Sequence, residues 1–244
     1  MKTLLCVLIV FLSFSAGQDD LYPLEDYSGS GIGYSPIFLD LDYTSIGLLD
    51  SLGKLGLTRT QFSVPFVIHG GEGFAHMAGH WRLGGYAGLG VSRISSMDTT
   101  NAVNKSIEAT LAIMIGAATV EYAVPLFRDL EISAGVMVGL GRVNLLLSQS
   151  PGSPNWSDQF TIVYGNAITV AHSTSLSGVF FNMQPYMTLK WQILNRMGLR
   201  ISVGFNKGTV EAGRWILNGR EPISNAPESV FQGVAIRTML YLGL

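Results

Sequence analysis

From Trp81 to Ile94 the chain reads WRLGGYAGLGVSRI, and two chemistries alternate along it with a period of two. Trp81, Leu83, Ala87, Leu89 and Val91 share one face; Arg82, Gly84, Tyr86, Gly88, Gly90 and Ser92 share the other. Successive side chains of a β-strand point to opposite sides, so this is a strand with one apolar face and one small or polar face. The pattern recurs. Ile107, Ala109, Leu111, Ile113, Ile115 and Ala117 oppose Glu108, Thr110, Ala112, Met114, Gly116 and Ala118, and that strand runs on to Val124. After a short turn at 125–129, Leu130, Ile132, Ala134, Val136, Val138 and Leu140 oppose Glu131, Ser133, Gly135, Met137, Gly139 and Gly141, which makes these two strands the clearest hairpin. Val179 to Ile193, Leu199 to Phe205 and Val234 to Leu242 alternate in the same way.

Two earlier segments complete the set. Phe62, Val64, Phe66 and Ile68 alternate with Ser63, Pro65, Val67 and His69, and the glycines at 70, 71 and 73 predict a bulge that leaves the facing of Glu72, Phe74 and His76 open. Ile32 to Asp42 is the weakest strand, with Pro36 removing a ladder donor and predicting an edge or a bulge. Between them Thr44 to Leu55 keeps helical spacing, with Thr44 as the expected cap, Asp50 and Lys54 as an i,i+4 pair and Gly56 as the stop. The count is eight strands, or ten if the arms Phe160 to Tyr164 and Ala167 to His172, about a turn at Gly165-Asn166, also cross. With eight, the short turns fall on one side and the long excursions on the other. This is how an up-and-down antiparallel transmembrane β-barrel is written.

Composition decides which face meets what. Charged residues are 13% of the 244 against about 25% in an ordinary soluble domain, and the mean hydropathy is +0.34. Past the N-terminus no apolar run is long enough for a membrane helix. High hydropathy without a helical span is reconciled if every second strand residue faces lipid. Ile113 and Val136 are then expected near mid-bilayer and outward. Trp81 and Trp191 are expected outward near the short-turn rim with Phe127 beside them, Glu121 outward near the Pro125 turn, and Arg142 toward the opposite rim. Residues 1–17 read as an export signal: Lys2, an apolar run from Leu4 to Phe14, and Ser15-Ala16-Gly17 before the cut. Residues 18–31 read as an exposed acidic leader and 32–244 as a single barrel domain. Cys6 is the only cysteine and lies inside the apolar run, so no disulfide is indicated. A net charge of −2 argues against a nucleic-acid partner, which needs a basic surface. The expected partner is outer-membrane lipid.

Taken over most of the mature sequence, this pattern resembles the small outer-membrane β-barrel proteins of Gram-negative-type bacteria. The resemblance implies residence in the outer membrane after export. Such barrels usually end on an aromatic residue; this chain departs from that with Leu240-Tyr241-Leu242-Gly243-Leu244.

Little in the sequence carries chemistry. The candidate lumen charges are Arg82, Glu108, Glu131, Lys190, Arg200 and Arg237, and an eight-stranded interior is just wide enough to be filled by side chains. They read as a paired structural network or as a selectivity element. The cations outnumber the acids, so either a loop acid such as Asp50 enters the lumen or water solvates the excess. No catalytic, cofactor-binding or metal-binding residue is assigned. His69 and His76 are opposite in parity and roughly 23 Å apart on an extended strand, and His76 with His80 lacks a third zinc ligand, Glu72 being about 13 Å away. His172-Ser173 faintly resembles the pair used by small barrel enzymes that deacylate lipid, with Asp158 as the nearest acid. The glycines from Gly84 to Gly90 lack the helix start and Lys-Ser/Thr of a phosphate cradle. Three functions remain: a non-enzymatic outer-membrane barrel with a structural, narrow-pore or ligand-contacting role; a barrel enzyme acting on membrane lipid; and a secreted soluble barrel of lipocalin type.

Overall fold

The structure, a computed structural model, describes residues 30–98, 105–127, 129–150, 172–194 and 196–243. The predicted export signal and all but the last two residues of the predicted leader lie outside these. The elements are β1 (Gly31–Tyr34), β2 (Ile37–Leu41), β3 (Phe66–Ala78), β4 (Trp81–Asp98), β5 (Lys105–Phe127), β6 (Leu130–Ser150), β7 (His172–Leu194), β8 (Met197–Val210), β9 (Ile216–Leu217), β10 (Glu221–Pro222) and β11 (Ser229–Gly243). Every pairing is antiparallel, and each long strand pairs with its neighbours in sequence.

The first strand closes the ring. β1 and β2 are one strand broken at Ser35-Pro36, and both pair with β3 on one side and β11 on the other. Pro36 has no N–H to donate, yet its carbonyl accepts from Thr238 N at 3.3 Å, and Ser35 N donates to Gly70 O at 2.8 Å. With β8 joined to both β7 and β11, the result is an eight-stranded closed barrel, the arrangement that leaves no sheet edge unpaired. Ten strands are excluded by the β6–β7 register, which runs unbroken from Leu130↔Trp191 to Gln149↔His172 and leaves no place for two more strands between them. The ends of β3 to β8 at Ala78, Trp81, Phe127, Leu130, Leu194 and Met197 share one rim with Gly31 and Gly243; the ends at Asp98, Lys105, Ser150 and His172 share the other. Among the described residues no helix is long and apolar enough to cross a membrane.

On β4, β6, β7, β8 and β11 the apolar face points out and the Gly/polar face points in, as the alternation predicts. On β2 and β3 the apolar face points in, with Ile37, Leu39, Leu41, Phe66 and Ile68 buried, and β5 departs from the expected facing as well. Ala109, Leu111, Ile113 and Ile115 are buried inside, while Met114 is 53% exposed on the outside. The cause is a bulge at the turn, where the register steps from Pro125↔Glu131 to Phe127↔Leu130. One extra residue reverses the parity of the whole strand. Glu108 and Ile113 therefore exchange the faces expected of them, as does Glu121. The expected bulge at the β3 glycines is also absent: β3 and β4 stay in register from Ile68↔Gly90 to His76↔Arg82, and the irregularity lies between His76 and Ala78. Glu72 and Phe74 accordingly point inward.

The first long loop folds into the barrel mouth. Its predicted helix is made of 3-10 turns, Tyr43–Ser45 and Gly47–Leu55, ended by Gly56 at φ 70. Asp42, not Thr44, caps the first of these turns: Thr44 donates its hydroxyl and its amide to Asp42 Oδ1 at 2.6 and 3.0 Å. Asp50 pairs with Arg59 at 2.9 Å rather than with Lys54. Ile46, Leu49, Leu52, Leu57 and Phe62 are buried against inward residues of the barrel, including Ile94, Leu111, Ile113, Val143 and Leu145. An apolar stopper thus fills the long-loop half of the interior.

Candidate functional site

Below the stopper the interior is ionic. Arg82 on β4 forms a bidentate pair with Glu131 on β6, and Lys190 Nζ on β7 lies 3.9 Å from the same carboxylate. Arg200 on β8 donates to Glu72 on β3 at 2.9 Å and to Glu121 on β5 at 2.5 Å. Arg237 Nε on β11 lies 3.2 Å from Glu72. β8 stands three positions round the ring from both β3 and β5, so the Arg200 bonds cross the interior rather than run along its wall.

Each ion is held by its neighbours. Tyr186 donates its hydroxyl to Glu121 at 2.8 Å, and Ser35 donates to Glu72 at 3.0 Å. The Arg200 guanidinium lies 4.3 Å from the centroid of the Phe74 ring, and that of Arg237 lies 4.6 Å from the Tyr186 ring. Such faces attract a desolvated cation through the ring quadrupole. Inward glycines make the room: a Cβ on Gly135 would come 2.8 Å from the Glu121 side chain, and one on Gly198 2.3 Å from the Tyr241 hydroxyl. Asn182 and Gln184, also fully buried, have no hydrogen-bond partner among the described residues.

Five of the six candidate lumen charges, Arg82, Glu131, Lys190, Arg200 and Arg237, are brought together here. Glu108 is not: it sits outside on β5, where Arg93 Nε meets it at 3.1 Å. Nor does Asp50 enter the lumen; its partner Arg59 holds it at the exposed surface. The acids that do enter are Glu72 and Glu121, giving three carboxylates against four cations. The shortage of acids on the inward list was the available signal, and it is met by Glu72, whose facing the sequence leaves open, and by Glu121, which the alternation places outward.

The histidines disperse. His69 Nδ1 lies 2.6 Å from the Tyr34 hydroxyl, His76 Nε2 2.6 Å from Gly79 O, and the His80 ring 5.3 Å from that of Tyr122. No group of three His, Cys, Asp or Glu among the described residues is placed to hold a metal. His172 and Ser173 start β7 opposite Gln149 and Ser148, and Asp158 lies outside the described residues.

Chemically, this interior binds itself. Its charges face one another across the barrel, with the apolar stopper above them. Outside, an apolar belt runs from an aromatic rim of Trp81, Trp191 and Phe127 beside the short turns to Arg93, Glu108, Arg142 and Lys207 toward the long loops.

No protein-family model matches the chain, and no curated protein sequence does. Among solved structures it is similar to two of Ail, the attachment invasion locus protein of Yersinia pestis. One shares 8% identity at a TM-score of 0.37 over 88% of this chain and 97% of that one. The other, a complex with the heparin analogue sucrose octasulfate, shares 8% at a TM-score of 0.34 over the same fractions.

Proposed function

We propose that the chain is an integral outer-membrane barrel with a sealed lumen, serving a structural or ligand-contacting role at its long-loop face rather than solute passage. The belt is the observation that carries this reading. Leu83, Leu89 and Val91 on β4, Val138 and Leu140 on β6, Phe181, Met183, Met187 and Leu189 on β7, and Ile201, Val203 and Phe205 on β8 all lie exposed on one continuous outer surface. Water does not tolerate an apolar surface of that extent on a monomer, whereas lipid requires it. A lipocalin-type soluble barrel would have to expose it. The aromatic rim marks one interface and the charged residues the other.

Sealing follows from the interior. Ionic crossings fill one half and the loop stopper fills the other, and barrels of this strand number have no water channel to spare. The test is fractionation followed by recording. The exported protein is expected with outer membranes, dispersed only by detergent, and silent in planar bilayers. Recovery in the soluble fraction refutes the membrane reading, and a large stable conductance refutes the seal.

A further inference from the structure

The β7–β8 seam opens near its top. Pairing of β7 with β8 reaches Phe181↔Thr209, and pairing of β7 with β9 begins at Ser177↔Ile216. Between them, 178–180 have no strand partner on that side among the described residues. Phe180 turns inward and stacks on Phe231 at 5.2 Å. Gly178 makes room for the packing behind this gap: a Cβ there would come 2.8 Å from Val210 and 3.3 Å from the buried Trp215 ring. Trp215 is fixed in turn by its indole N–H, which donates to Pro227 O at 3.1 Å.

What remains on the outside is a cleft of about 610 Å³, within the range of sites that hold a small ligand. Val179, Phe181, Ile216 and Pro222 give it apolar walls, and Arg142 and Arg214 line it as well. Arg142 is outward on β6, opposite Val179 and one outward position past Leu140, so it stands where the apolar belt gives way to polar residues. It has no acidic partner among the described residues. Arg214 lies 3.5 Å from Glu211, an exposed acid that lines the same cleft.

We propose that this cleft binds one phosphate-bearing anionic lipid of the long-loop leaflet, its acyl chain against Val179, Phe181, Ile216 and Pro222 and its phosphate between Arg142 and Arg214. An unpaired guanidinium at the edge of an apolar surface matches a phosphate that is itself anchored by an apolar tail, and the planar fork of Arg suits phosphate oxygens. A soluble anion would satisfy the arginines and leave the apolar walls uncovered. The site rests on the membrane reading above, since it faces lipid only if the belt does.

The test uses the full mature protein in nanodiscs of phosphatidylcholine with and without phosphatidylglycerol, with retained lipid counted by native mass spectrometry. Phosphatidylglycerol is expected to be retained in preference to phosphatidylcholine and not displaced by inorganic phosphate. Arg142→Gln should lower retention at least about tenfold, equivalent to about 1.4 kcal/mol, and Val179→Trp, which fills the cleft without changing charge, should lower it as well. Equal retention of the two lipids, displacement by inorganic phosphate, or unchanged retention in Arg142→Gln overturns the site. Failure of the wild type to enter the nanodisc overturns the membrane reading instead, and entry without retained phosphatidylglycerol overturns the site alone.

Discussion

Replacing Glu121 by Ala tests the interior and the reversed facing of β5 in one step. The Glu121 carboxylate is 1% exposed and accepts from Arg200 at 2.5 Å, Tyr186 at 2.8 Å and Ser133 at 3.4 Å. Its removal leaves Arg200 with Glu72 alone, strands the Tyr186 hydroxyl, and sets four buried cations against two acids. Breaking a buried pair by deleting one member costs about 3–5 kcal/mol, because the surviving charge is left in a medium that cannot solvate it. Glu108 is the internal control, on the same strand but outside, in a pair whose side chains are 66% and 31% exposed. Glu108→Ala should cost about 0–1 kcal/mol. With a urea dependence of about 1–3 kcal/mol per molar, the two variants should differ by roughly 1–3 M in midpoint, read by tryptophan fluorescence in detergent micelles and checked by heat-dependent gel mobility. Adding Arg200→Met to Glu121→Ala should recover much of the loss, since a buried ion pair replaced whole by apolar atoms is often neutral. Equal midpoints for Glu121→Ala and Glu108→Ala, or the reverse order, would refute both the network and the facing.

Two further outcomes are expected. Cysteine placed at Met114 should react in lipid with a membrane-soluble maleimide and not with a charged one, while cysteine at Ile113, buried in the stopper contact, should react with neither; labelling of Ile113→Cys alone would restore the unbulged register. At the stopper, the hydroxyl of Thr44, aided by its backbone amide, holds the Asp42 carboxyl below its ordinary value, so the contribution is present above the unfolded pKa of about 3.9 and lost as pH falls through the folded one. Asp42→Ala should therefore cost about 1 kcal/mol or less at neutral pH and nothing in strong acid, and a difference in urea midpoint that persists at low pH would contradict the cap.

The barrel was legible because two-residue alternation needs only local sequence, and the glycine-rich inward faces of β4 and β6 separate cleanly from their outward Leu and Val. β5 was not, because it is apolar on both faces: Ile113 and Ile115 sit inside, with Ala112 and Met114 outside. Nothing in such a strand reveals which side lipid touches, and the answer depends on one bulged residue in a turn. Glu72 was obscured by its glycine neighbours, whose freedom to bulge goes unused. The helix reading of Thr44 to Leu55 placed the segment and its stop at Gly56 but missed the tighter winding that a short segment with Gly47 and Gly53 adopts. The cleft had no sequence signal, for it exists only where β9 takes over the partnering of β7 from β8.

The stopper is tied to the clasp of the ring. Asp42 N donates to Gln232 O at 2.9 Å, Ser45 Oγ to Val230 O at 2.7 Å, and Leu48 N to Ser229 Oγ at 3.2 Å, so the segment that fills the mouth is fastened to the very strand that must find the first one for the barrel to close. Those partners lie 185 and 181 residues apart in the Ser45 and Leu48 contacts, a remote meeting whose loop-closure entropy must be met before the contact rewards it. Hoop and cork are therefore fastened at the same joint. Withdrawing the cork means prising at the joint that keeps the hoop whole.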